Sequence, residues 1–209
     1  MIAEYKIIDM QEVLKVIMLS KDGFNTKFLK ASHSLWFRFK NYVKNPPYAM
    51  YMNNECCSLI FGTHSRLNKY VNVYEVCTVQ GKEGKGYATK LWENYIKYSV
   101  GQGMKRLKIS CTPDSLGWHI RNGLVFWGVD KQGSLKSDQP LYPTREEQIK
   151  FRHKAINNPE IALPDIKVIQ KLKQTNLEEL NLSANKIQKT INAIDKYKLY
   201  YLRDSLYGL

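Results

Sequence analysis

Residues 79 to 96 read VQGKEGKGYATKLWENYI, in which Gly81, Gly84 and Gly86 are interleaved with Lys82 and Lys85 just ahead of a helix-like run. The first turn of a helix leaves backbone N–H groups without intrahelical partners and carries the positive end of the helix dipole. Glycines allow an anion to come close to that backbone. Lys82, Glu83, Gly84, Lys85, Gly86 and Tyr87 are thus a candidate cradle for a pyrophosphate. A flexible basic loop would show the same composition. The stretch is not GxxxxGK[ST], and it lacks the GxGxxG spacing with a later acidic residue. That excludes a P-loop and a standard dinucleotide fingerprint.

The elements that must hold this loop follow from periodicity. AEYKIID alternates like a strand, and MQEVLKVIML carries apolar residues at helical spacing. SHSLWFRFKNYVKN is expected to be a helix that stops at Pro46 and Pro47. YAMYM and CCSLIFG flank Asn53-Asn54, a hairpin signal, and VNVYEVCTV is rich in β-branched and aromatic residues. After the loop, Leu91, Trp92, Tyr95 and Ile96 mark one face of a helix from Ala88 to about Val100, ended by GQG. RLKISC is the next strand, which makes a parallel βαβ crossover the expected arrangement. DSLGWHIRNG reads as a short helix, LVFWGVD as a strand and QPLYP as a last strand. From Arg145 the pattern turns helical, with Pro159 and Pro164 as punctuation. A boundary is expected there, dividing 1–144 from a helical module at 145–209.

A chain of 209 residues that is 44% hydrophobic can bury one good core. Its net charge of +13 implies attraction to polyanions: nucleic acid, phosphorylated cofactors or a membrane surface. Most of that excess precedes Arg145. Cys56, Cys57, Cys77 and Cys111 have neither CxxC nor Cys/His spacing, so no disulfide framework or metal site is suggested and a reducing cytoplasm is expected. Charge interrupts the N-terminus too early for a signal peptide, and no apolar run reaches bilayer length.

YEVCTVQGKEGKGYATKL, RLKIS and WHIRNGLVFWG, taken in this order, resemble the GNAT acyltransferase superfamily over roughly residues 3 to 143. In that family a strand, a [QR]xxGx[GA] loop and a helix bind acetyl-CoA, and a later FYxxxGF element closes the thiol end. Gly84-Lys85-Gly86 matches the GxG part, and Trp118 to Leu124 lines up with the later element. The resemblance implies an α+β fold: a mixed, mainly antiparallel twisted sheet flanked by helices, here with a small all-helical C-terminal module. It also implies acetyl-CoA as cosubstrate, held near Val79, Lys82, Glu83, Gly84, Lys85, Gly86, Tyr87, Ala88 and Thr112. The amide near Val79 would polarise the thioester carbonyl, Glu75 would serve as base or position a water, and His119 would protonate the departing thiolate. Four positions depart from the family pattern. Gly81 stands where Gln or Arg is usual, Glu83 where an Arg often precedes the GxG, His119 where Tyr is frequent, and Thr112 where Asn commonly contacts the pantetheine arm. Cys77 and Cys111 read as core, while His33, His64 and Ser110 are further polar candidates.

Residues 175 to 194, TNLEELNLSANKIQKTINAI, resemble a helix-turn-helix with Asn181-Leu182-Ser183 as the turn. Ile187, Ile191 and Ile194 would face inward, leaving Asn185, Gln188, Lys189 and Asn192 outward, side chains suited to base edges and phosphates. An ordinary helical appendage that buttresses the enzyme or forms a homodimer has the same pattern. The expected function is acyl transfer to a nucleobase or another nucleic-acid-associated amine, that is, DNA modification as in GNAT-like phage enzymes. Two alternatives stand: acetylation of a protein or small amine, and a DNA-binding regulator that senses CoA.

Overall fold

The computed structural model describes residues 3–19, 45–129, 133–158, 161, 184–200 and 202. The fold class is α+β, with seven described strands, mainly antiparallel, and flanking helices. Two compact units divide the chain, 1–104 and 105–209. The helix expected over 32–45, apart from its last residue Asn45, and the first helix of the 175–194 motif lie outside the described residues.

In the first unit, β1 (Ala3–Ile7) is followed by α1 (Met10–Leu19), β2 (Tyr48–Met52), β3 (Glu55–Ser65), β4 (Tyr70–Thr78) and α2 (Tyr87–Gly101). Asp9 Oδ1 accepts the Glu12 N–H at 2.8 Å and so starts α1. The four strands pair antiparallel in chain order. Asn53 and Asn54 turn the β2–β3 hairpin with φ of 50° and 63°, the paired left-handed conformation that Asn tolerates and that matches strand twist. One face of these strands presents Ala49, Tyr51, Leu59 and Phe61, joined by Val79 just past β4, to Ile8 and Val13. Against β3, α2 buries Leu91, Trp92, Tyr95 and Ile96. Leu91 and Trp92 are almost wholly covered, contributing on the order of 2 kcal/mol each. Gly103, at φ 79°, carries the chain out of the helix, as the GQG signal anticipates.

Two strand pairs are irregular. Between β2 and β3 the register passes from Met50↔Ser58 to Tyr51↔Cys56, which leaves Cys57 as an extra residue. Between β3 and β4 it passes from Phe61↔Glu75 to Gly62↔Val73, which leaves Tyr74 extra. Each bulge locally re-aims backbone and side chains.

The second unit holds β5 (Arg106–Cys111), a 3₁₀ turn at Pro113–Ser115, α3 (Leu116–Arg121), β6 (Gly128–Val129), β7 (Leu135–Pro140), α4 (Arg145–Asn157) and α5 (Ala184–Lys196). β7 pairs antiparallel with both β5 and β6. Here the sequence expectation needs correction. Among its described residues LVFWGVD is strand only at Gly128–Val129, and β7 begins at Leu135, well ahead of QPLYP, and ends at Pro140. The reason is the buried Gln139 side chain. Its Oε1 accepts the Val125 N–H at 2.7 Å, and its Nε2 donates to the Gly123 carbonyl at 3.1 Å. A side-chain amide therefore takes hydrogen bonds that a ladder would otherwise supply. Gly123, at φ 83°, packs so tightly on the α4 backbone at Gln148 that a Cβ would sit 2.5 Å from a carbonyl carbon. Thr144 and Glu147 form a reciprocal capping box at the start of α4. The helix α5 is anchored by Thr190, whose hydroxyl donates to the Gly133 carbonyl at 3.3 Å, and by buried Ala193 and Ile194.

Candidate active site

In the first unit β4 runs into the glycine loop, and the loop opens α2. Gly81, Gly84 and Gly86 have φ of 76°, 73° and 77°, a region costly for any residue with a Cβ. Gly86 occupies the N-cap position, no side chain caps the turn, and no acidic residue lies in the first turn of α2. The positive end of the helix dipole is thus left uncompensated by the helix's own side chains. A Cβ built on any of the three glycines would meet nothing within 4 Å. The loop backbone accordingly borders open space, and a diphosphate can approach it. Lys85 and Glu83 are exposed, and Tyr87 and Ala88 are half-buried. The glycines and the start of α2 therefore suit an approaching anion in sign and in access.

Two of the expected cofactor contacts are already engaged elsewhere. The Val79 N–H, expected to polarise a thioester carbonyl, donates to the Cys57 carbonyl at 3.0 Å, and a single N–H cannot serve both acceptors well. Lys82, expected on a phosphate, instead places Nζ 2.8 Å from Glu55 Oε2 and 3.1 Å from the Cys56 carbonyl, with Cys57 Sγ at 3.8 Å. The Val79 bond continues the β3–β4 ladder one residue beyond the Ser58↔Thr78 pair, and the Lys82 contacts hold the loop to the start of β3. Burial pulls the Lys82 ammonium pKa down, but the Glu55 hydrogen bond and the neighbouring thiol and carboxylate outweigh it, and the pKa rises. Lys82 is therefore a fully charged tether. Glu55, the partner, went unnoticed in the sequence, where nothing marks residues 27 apart as neighbours.

Glu75 is half-buried on β4 immediately after the Tyr74 bulge and opposite Phe61. It is close enough to Cys77 for its charge to add to burial, the larger cause, in raising the Cys77 thiol pKa. Glu75 stands three residues before the end of β4, the strand that leads into the glycine loop. Of the cysteines, Cys56 and Cys111 are pushed up to about 12, mainly by burial, so they are neutral core thiols rather than nucleophiles.

In the second unit, Thr112 is exposed and extended, with Oγ1 3.3 Å from Ser115 Oγ. His119 lies on α3, buried, with its ring edge-on to Trp118 at 4.8 Å and to Phe126 at 6.4 Å. Burial pushes its pKa down to about 4. The general-acid role expected for it needs an imidazolium, which this environment does not hold at neutral pH. Asn185, Gln188, Lys189 and Asn192 are all exposed on α5, and Gln188 Nε2 donates to Asn192 Oδ1 at 2.8 Å. His33 lies outside the described residues, and Ser110 is exposed on β5. Among the described residues no group of His, Cys, Asp and Glu could hold a metal ion, and no helix is long and apolar enough to cross a membrane.

Comparison with known proteins bears on the fold. No family model matches the sequence, and no curated protein matches it either. Solved structures do match. One from Desulfovibrio desulfuricans, described as an acetyltransferase of the GNAT family, is 8% identical at a TM-score of 0.55, over 68% of this chain and 100% of that one. The PaiA N-acetyltransferase of Thermoplasma acidophilum, in complex with coenzyme A, is 8% identical at a TM-score of 0.52, over 67% and 99%. The chain also matches 65% of the length of a nourseothricin acetyltransferase, 14% identical over 46% of this chain, at a TM-score of 0.42 too low to argue from. At these identities the shared property is the fold, which is that of the GNAT acetyltransferases.

Proposed function

We propose that the chain is an acyl-CoA-dependent N-acyltransferase. The observation that carries this reading is the uncapped, acid-free start of α2 behind three left-handed glycines. Gly84, Lys85, Gly86, Tyr87 and Ala88 hold the pyrophosphate, and Lys82 acts through the loop's shape rather than as a phosphate ligand. When bound, the cosubstrate supplies an activated acyl thioester. Glu75 takes a proton from the acceptor amine directly or through a water. The test is calorimetric titration of the purified chain with coenzyme A. Saturable 1:1 binding that is lost in Gly84→Val supports the reading, and no heat of binding overturns it.

For the acceptor, the +13 charge and the solvent-facing Asn185, Gln188, Lys189 and Asn192 favour an amine on nucleic acid, with residues 145–209 as the module that engages it. Such an arrangement is similar to the phage DNA-modification protein Mom. Mass analysis of nucleosides from DNA exposed to the enzyme and acetyl-CoA tests it. An acylated nucleoside supports it, and its absence beside an acylated protein gives the acceptor to the second reading. That second reading, a protein or small-molecule amine with α5 as a buttress, is favoured by the burial of Thr190, Ala193 and Ile194.

A further inference from the structure

A cavity of about 520 Å³ opens in the first unit between the C-terminal half of α2 and the ends of β2 and β3. Its walls include Tyr48, Tyr95, Tyr98 and His64, with Arg66 and Gln102 supplying polar atoms. From Tyr87 at the loop to Tyr98 at the cavity, α2 advances roughly 17 Å at 1.5 Å per residue, so the two sites are separate. The volume falls within the range usual for small-molecule sites.

The aromatic wall is built in advance. Tyr48 and Tyr98 stack with centroids 5.1 Å apart and planes 17° from parallel. His64 stands edge-on to Tyr98 at 5.7 Å and tilted against Tyr95 at 5.7 Å. Polar contacts fix the rings: the Tyr48 hydroxyl donates to Asn94 Oδ1 at 2.6 Å, and His64 Nε2 lies 3.0 Å from Ser99 Oγ. Rings locked in this way lose little entropy when a flat ligand stacks on them. The charge at the site has one sign. Among the described lining residues there is no carboxylate, and Arg66 is the only fixed charge. A cationic ligand would find aromatic faces but no counterion and a repelling guanidinium; an anion finds a fork of donors suited to a carboxylate or phosphate. Burial, and secondly the Arg66 charge, lower the His64 pKa, so that ring adds no second cation at neutral pH.

We propose that this cavity is a second ligand site, for a planar aromatic molecule bearing one anionic group, with the ring against the tyrosine cluster and the anion on Arg66.

The test is calorimetric titration of the full chain with naphthalene-2-carboxylate, 2-naphthyl phosphate and the neutral naphthalene-2-carboxamide, with coenzyme A titrated separately. At least one of the two anions is expected to bind saturably and about tenfold more tightly than the amide, as for a charge-assisted contact. Which anion binds better identifies the source of the charge. Arg66→Gln, at an exposed position outside the core, should reduce both anions to the level of the amide and leave coenzyme A unchanged. Tyr98→Leu should weaken all three probes by about fivefold through lost stacking. Absence of saturable binding by either anion overturns the proposal, as does equal affinity of anions and amide, or an unaltered affinity in Arg66→Gln. Because coenzyme A is read independently, failure at this cavity is distinct from failure of the acyltransferase reading.

Discussion

Lys82 Nζ lies 2.8 Å from Glu55 Oε2, so the middle of the glycine loop is fastened to the first residue of β3. The Glu55 carboxyl pKa is lowered by that hydrogen bond and by the charge behind it. A cation held in this way is diverted from an incoming phosphate. Glu55→Gln should therefore tighten coenzyme A binding by about threefold at low salt, and the gain should vanish at about 0.5 M salt. Lys85→Met should weaken binding by about fivefold, more than Lys82→Met does. Titrations at two salt concentrations decide, and a larger loss from Lys82→Met would return that residue to the phosphate.

Gly86 is left-handed with open space where a Cβ would go, so the cost of Gly86→Ala is conformational and not steric. The substitution is expected to lower stability by about 1–2 kcal/mol in urea denaturation. Coenzyme A affinity should fall further than stability does, since the loop no longer presents the same amides.

His119 makes stability depend on pH. Its pKa falls from 6.5 to about 4 on folding, so between these values the unfolded chain binds more protons. The contribution is complete above pH 6.5 and is lost as the pH falls towards 4, by up to about 3 kcal/mol. Urea midpoints at pH 7 and pH 4.5 should differ less in His119→Phe than in the wild type. An equal difference in the two proteins would mean that His119 is not buried as neutral imidazole.

Glu75→Gln is expected to reduce kcat by about a hundredfold or more with little change in coenzyme A affinity, the pattern of a lost proton acceptor. A rate within a factor of two of the wild type would make Glu75 a structural strand residue.

Gly62 leaves room for the Tyr95 ring, and a Cβ there would run into the Tyr95 hydroxyl. Gly62→Ala should cost about 2 kcal/mol, and combining it with Tyr95→Phe should recover part of the loss. Strict additivity in that double-mutant cycle would show that the two residues do not touch.

The loop and its helix were legible in sequence because glycine and helical spacing are local signals, read correctly within a residue at each end of α2. The hairpin was equally plain, since Asn53 and Asn54 tolerate the backbone that the turn needs. LVFWGVD misled for a physical reason: its composition favours a strand, but Gln139, more than ten residues later, supplies the hydrogen bonds from its side chain. The engagements of Val79 and Lys82 were invisible because both join the loop to β3, and which strand lies beside a loop is decided by long-range pairing that the spelling of either segment does not announce. Gly62, a lone glycine inside an apolar strand, was the one available hint of a close approach. His119 was identified by position in a motif, and its burial could not be read from that.

In α5 the packed residues, Thr190, Ala193 and Ile194, and the solvent-facing polar ones share a single helix of 13 residues. Removing the tail would therefore strip cover from the second unit along with any nucleic-acid contact, and a truncated chain would confuse the two losses. The same interleaving leaves this helix evolvable: its outer positions can change charge a side chain at a time, while the inner ones keep the second unit covered.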